Sequence, residues 1–201
     1  MNTGPKPPQG RPLATSHAAI ETAAFALFAE RGFEDTTVED IADAVGVGRR
    51  TLFRYFSSKN DILWGQFDSN LEHLGRSLRE PPRDVSVFDA VHRAIVAFNR
   101  LDPDAIPQHR QRMSLILRTP ALQAHSVLRY EQWRGVIADY AAERYGVDRD
   151  SLLPRTIGHV SLALALTAYE QWLETDDTSL EDLLNAGAST LRGYVDATVS
   201  P

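Results

Sequence analysis

The sequence predicts an all-α protein, and three observations carry that expectation. Apolar residues recur three and four positions apart along most of the chain, and no stretch alternates with the two-residue period of a strand. The helical runs break at turn-forming residues: Gly32, Gly46, Pro81-Pro82, Asp102-Pro103, Pro107, Thr119-Pro120, Gly146 and Asp176-Asp177. Near the N-terminus, two short patterns flank one of these glycines in the arrangement of a helix-turn-helix. The expected architecture is a three-helix N-terminal domain followed by a larger helical body. With 201 residues, 43% of them hydrophobic, the chain can bury one or two compact cores.

Residues 1–15 are rich in proline and glycine and carry Lys6 and Arg11. They bury too little apolar surface to offset ordering, so a disordered basic arm is expected, either reaching a minor groove or remaining an inert leader. Thr15 or Ser16 can cap a first helix with the stripe Ile20, Ala24, Leu27 and Phe28; Gly32 ends it and Phe33 folds back. Val38, Ile41, Ala42 and Val45 mark a second helix. Thr36 or Thr37 can cap it, and Thr36 with Glu39 has capping-box spacing. After Gly46, a third helix runs from about Gly48 to Tyr55, with Leu52 and Phe56 inward and Arg49, Arg50, Thr51, Arg54 and Tyr55 on its other faces. Residues 16–60 therefore read as the helix-turn-helix domain.

Ser57 or Ser58 opens a connecting helix over 61–80, with Ile62, Leu63, Phe67, Leu71, Leu74 and Leu78, closed by Pro81 and Pro82. Residues 81–201 continue as helices at about Val85–Leu101, Ile106–Arg118, Ala121–Tyr145, Leu152–Thr175 and Leu180–Val199. The helix from Leu152 is apolar nearly all round, which implies burial on more than one side. In a chain this small the second covering surface is most simply another copy of itself. Leu162 and Leu166, with Leu180, Leu184 and Leu191 from the last helix, are the candidate seam of a four-helix homodimer.

The net charge is −6, yet no Asp or Glu lies between Gly46 and Lys59, where Arg49, Arg50, Arg54 and Lys59 gather. Basic and acidic residues balance up to Asn60, so the negative excess belongs to the body. A cationic island in an acidic protein suits phosphate attraction, and the acidic remainder helps orient it on DNA. The candidate DNA-binding residues are Thr37, Arg49, Arg50, Thr51, Phe53, Arg54, Tyr55 and Lys59. Arginine can read guanine with two hydrogen bonds and threonine can meet a thymine methyl, whereas Tyr55 and Lys59 are placed for phosphates. A symmetric pair would read a palindromic double-stranded operator.

These residues also carry a resemblance. Ser16 to Leu63 is similar to the DNA-binding half of the TetR family of one-component bacterial repressors, and FAERGFEDTTVEDIADAVGVGRRTLFRYFSSKNDIL, from Phe28 to Leu63, follows the family pattern nearly position by position. RRTLFRYFSSKND, from Arg49, and TPALQAHSVLRYEQWR, from Thr119, resemble the mycofactocin-system (MftR-like) branch. Many family members have tyrosine where this chain has Phe53, and histidine where it has Tyr55. Phe53 cannot donate to a phosphate, so it is kept as an apolar contact. The resemblance implies that a small-molecule effector enters the body and releases DNA, and the narrower branch points to a long-chain acyl-CoA. Candidate effector residues are Phe98, Met113, Leu117, Trp133, Tyr169 and Trp172 as apolar lining, with His109, Arg112, His125 and Arg129 as a basic mouth beside Arg110.

Other function classes have little support. With no cysteine there can be no disulfide, Cys-ligated zinc, iron–sulfur cluster or thiol nucleophile. The six histidines lack H-x-x-x-H and E-x-x-H spacing, and there is no G-x-S-x-G elbow or glycine-rich phosphate loop. No catalytic residue, metal or cofactor is therefore expected. No apolar run approaches the roughly 20 residues that span a bilayer, and no hydrophobic leader is present, so a cytoplasmic protein without a membrane partner is expected. The alternatives, a helical-bundle enzyme or a protein-binding adaptor, leave the arginine-bearing helix unexplained.

Overall fold

The computed structural model describes residues 15–199, all of whose regular elements are helical. Apart from Thr15, the expected basic arm lies outside the described residues. The chain divides between Gly65 and Gln66 into two compact units, and the Pro81-Pro82 turn lies inside the second.

The first unit contains α1 (His17–Arg31), α2 (Val38–Ala44), α3 (Arg49–Leu52) and α4 (Lys59–Ile62). Ser16 caps α1, its hydroxyl accepting from Ala19 N at 3.2 Å. The second cap differs from the Thr36–Glu39 expectation. Thr37 and Asp40 form the box, with Asp40 N donating to Thr37 Oγ1 (3.1 Å) and Thr37 N to Asp40 Oδ2 (2.8 Å). Thr36 is instead fully buried, and its hydroxyl donates to Gly32 O at 2.7 Å, closing the turn after α1. Between α2 and α3, Gly46 takes φ +69°, while its N–H donates to Asp43 O and that of Val47 to Ala42 O. This is a Schellman closure, and its left-handed residue favours glycine. After Leu52 the chain continues in turns to Phe56, and Leu52 and Phe56 are buried as expected.

The connecting helix is not continuous. Ser58 caps α4, but after Ile62 a turn through Gly65 intervenes before α5 (Phe67–Ser77). That turn lets Leu63 and Trp64 both bury, which an uninterrupted amphipathic helix would not do for adjacent residues.

The second unit holds α5, α6 (Val87–Phe98), α7 (Ile106–Arg118), α8 (Pro120–Tyr145), α9 (Leu152–Glu174) and α10 (Leu180–Val199). α9 lies against α8, α10, α7 and α6, so its nearly unbroken apolarity is largely used within the chain. Its inward face carries Gly158, Ser161, Ala165 and Ala168, small residues that allow close approach. At Gly158 a Cβ would lie 2.9 Å from the carbonyl oxygen of Arg134 on α8, so only glycine fits that crossing.

Candidate nucleic-acid interface and effector pocket

The candidate DNA contacts separate into residues that face outward and residues that hold the unit together. Arg50 and Arg54 are exposed and have no ion pair among the described residues; Phe53 is 38% exposed, and Thr51 is half-buried beside them. Arg49 is also exposed, but its guanidinium pairs with Glu39 of α2 and stands 5.4 Å from the centre of the Phe53 ring. Thr37 is the cap of α2. The Tyr55 hydroxyl donates to Thr15 O at 2.8 Å, anchoring the start of α1.

Lys59 sits differently from a phosphate-facing lysine. Its ammonium donates to Phe33 O (2.6 Å) and Thr36 O (2.8 Å), with Glu34 O at 3.4 Å, and lies 4.2 Å from the centre of the Phe33 ring. Burial holds its pKa below the usual lysine value, against the opposing influence of Glu34 and Asp35. A single cation thus closes the loop between α1 and α2 by meeting carbonyls that have no helical partner.

In the body, the sequence-expected effector residues form a self-satisfied polar and aromatic cluster. Tyr169 OH donates to Asn99 Oδ1 (2.7 Å), and Asn99 Nδ2 donates to Ile95 O (2.8 Å). Because the phenol proton is used there, His109 Nε2, 2.8 Å from Tyr169 OH, must be the donor in that contact. Burial, with Arg112 adding repulsion, lowers the His109 pKa to about 4, so the ring is neutral at pH 7. Burial also pushes the Tyr169 phenol well up. Trp172 packs against both rings and beneath the Arg110 guanidinium, 4.3 Å from its ring centre, and Arg110 donates to Thr175 O. Phe98 and Trp133 meet edge to face, Met113 is buried, and Leu117 and His125 are half-buried on α7 and α8. Arg129 pairs with Asp68 at 3.1 Å and stands over Phe67. The expected basic mouth is therefore largely engaged with protein groups.

The apolar void lies elsewhere. A cavity of about 310 Å³ opens between α6, α9 and α10, walled by Val91, Ile95, Ile157, Ala165, Leu184 and Ala188 among others, and none of the ten sequence-expected effector residues lines it. Sequence reasoning missed these residues. The i, i+4 stripe Val87, Val91 and Ile95 was a visible signal for an inward face, but no pattern says which inward face leaves a gap.

The candidate seam also needs correction. Leu162, Leu180 and Leu184 are buried within the chain, while Leu166 and Leu191 are half-buried. The outer groove of α9 and α10 is lined instead by Val160, Ala163, Thr167, Ala186, Thr190 and Tyr194, with Leu191 at its edge. On α9 the outward stripe follows 160, 163, 167 and 171, whereas Leu162 lies on the opposite side.

Comparison with known proteins accounts for both units. Residues 20–63 match the N-terminal domain of bacterial regulatory proteins of the tetR family, and residues 85–195 match the MftR C-terminal domain. A protein designated the mycofactocin biosynthesis transcriptional regulator MftR, from Mycobacterium tuberculosis H37Rv, is 41% identical over 187 residues, covering 93% of this chain and 94% of its own. The HTH-type transcriptional regulator TcmR of Streptomyces glaucescens is 33% identical over 90% of this chain and 83% of its own. Among solved structures, the regulator FadR from Bacillus subtilis in complex with stearoyl-CoA superposes with a TM-score of 0.61 at 17% identity, covering 88% of this chain and 97% of that one. Matched across its helix-turn-helix and across the body that follows, this chain belongs to the TetR family of transcriptional regulators, with a C-terminal domain of the MftR type.

Proposed function

We propose that the protein is a repressor that binds a palindromic double-stranded DNA operator as a homodimer and is released by a small apolar effector of the acyl-CoA type. The observation that carries the DNA reading is the pair of exposed arginines, Arg50 and Arg54, on a helix pinned from behind by Leu52 and Phe56. Guanidinium groups without a protein partner can meet phosphate or guanine without first breaking an internal contact. One short helix reads few base pairs, and a two-fold pair doubles the site. We assign the second copy to the outer α9–α10 groove, whose lining holds no charged side chain and is rich in alanine and glycine, so two backbones can approach closely. The stearoyl-CoA complex of a structural relative supports the effector class. In this reading the protein acts by binding rather than catalysis, in the cytoplasm with the DNA.

Gel retardation with inverted repeats from the DNA upstream of the gene tests the proposal. Binding that survives excess random duplex, weakens linearly in log salt, and requires a dimer in sedimentation is the expected result. A strict monomer, or equal affinity for random duplex, overturns it.

A further inference from the structure

We propose that the cavity between α6, α9 and α10 is the effector site, and that it takes one acyl chain whose anionic end lies at Arg192. This inference rests on the ligand-responsive reading above and gives it a place and a chemistry.

Three observations carry it. First, no Asp, Glu, Lys or Arg lines the cavity, and its volume of about 310 Å³ is at the lower end for small-molecule pockets. Wall atoms facing such a void lack packing partners on one side, so an aliphatic chain gains contacts there that water would not supply. A sugar or nucleotide base would leave its polar groups unmet.

Second, one edge of the cavity carries a cation. Phe88 is part of the wall, and the Arg192 guanidinium lies 4.7 Å from the centre of its ring. Arg192 donates to Asp89 Oδ1 at 2.6 Å, a contact between two well-exposed side chains. A pair so exposed is weakly held, and an arriving carboxylate or phosphate can take the place of Asp89. Nearby, His92 meets Asn185 at 2.8 Å across the same α6–α10 seam. The self-satisfied cluster around Tyr169 offers no comparable opening.

Third, Val160, Leu164 and Leu191 line both the cavity and the outer α9–α10 groove. A chain in the cavity presses on the wall that our reading gives to the second copy. Effector binding then favours a differently shaped seam, and operator affinity changes by the difference in effector affinity between the two forms.

Calorimetry on the full chain without DNA provides the test, using dodecanoate and dodecanoyl-CoA as separate probes. Dodecanoate binding alone assigns a free acid, the thioester alone assigns acyl-CoA, and equal binding assigns the chain as the determinant. Ala188→Phe and Ala165→Leu fill the cavity and should weaken binding by about tenfold or more. Arg192→Gln should weaken it with the cavity intact, and Arg155→Gln, on the opposite face of α9, should leave it unchanged. Should the filled variants fail to fold, contacts from a ¹³C-labelled chain to the methyls of Ile157 and Leu184 in the wild-type protein decide the matter. Absence of those contacts, wild-type affinity in a folded filled variant, or no binding of either probe overturns the proposal. Because no DNA is present, failure here leaves operator binding standing, and failure of operator binding leaves this result standing.

Discussion

The two units of this chain build their chemistry over different distances in sequence. In the first, the cap partners Thr37 and Asp40 are three residues apart, and the Arg49–Glu39 pair spans ten. In the second, His109 reaches Tyr169 across 60 residues, Tyr169 reaches Asn99 across 70, and Arg192 reaches Asp89 across 103. A locally written site can lose an outward side chain with little effect on the fold. A site gathered from distant helices cannot easily separate function from packing.

Substitutions can break or sharpen that contrast. The largest effect is expected for the double variant Arg50→Ala with Arg54→Ala, which should cost about 2–6 kcal/mol of operator affinity while leaving the melting temperature unchanged. A large fall in melting temperature would show that the first unit is less separable than its geometry implies.

Next comes acid sensitivity in the second unit. His109 is held neutral with a pKa of about 4, whereas the unfolded chain takes up its proton near 6.5. The stability this contributes is present above 6.5 and is lost as pH falls toward 4, by about 3 kcal/mol at most. Urea unfolding at several pH values should show that loss in the wild type, and a flatter profile in His109→Gln.

Lys59 tests the contrast from the other side, because a half-exposed lysine near the reading helix acts as an internal tie. Lys59→Met should destabilise the first unit by about 1–3 kcal/mol, since carbonyls lose a charged donor. Operator affinity should fall with stability, while the salt slope stays the same. A shallower slope in a fully folded variant would return Lys59 to the phosphate contacts expected from sequence. The smallest effect is expected for Glu39→Gln, which frees Arg49 and should strengthen binding to random duplex by about 0.5 kcal/mol, read in competition assays.

The same contrast explains what was legible in the sequence. All five body helices were visible within a few residues because apolar period and Gly or Pro punctuation are local signals. The inward Leu52 and Phe56 and the outward Arg50 and Arg54 followed from one helical turn. The cap at Thr37 was ambiguous because Thr36 is equally able to cap, and only burial beside Gly32 decides between them. The interruption at Gly65 was missed because Leu63 and Trp64 fit a helical pattern as readily as a turn. In the body, large aromatic residues drew attention to the cluster around Tyr169, yet their hydrogen bonds close on one another. The void appears where α6, α9 and α10 pack incompletely, a property of three helices jointly that no single stripe encodes.

The crossing at Gly158 has a mechanical consequence. With carbonyl and Cα in direct touch and no side chain to act as a cushion, α8 and α9 form a single stiff beam at that point. A push on α9 is handed to α8 undiminished, while α6 and α10, joined to it through side chains that can change rotamer, are the parts free to yield.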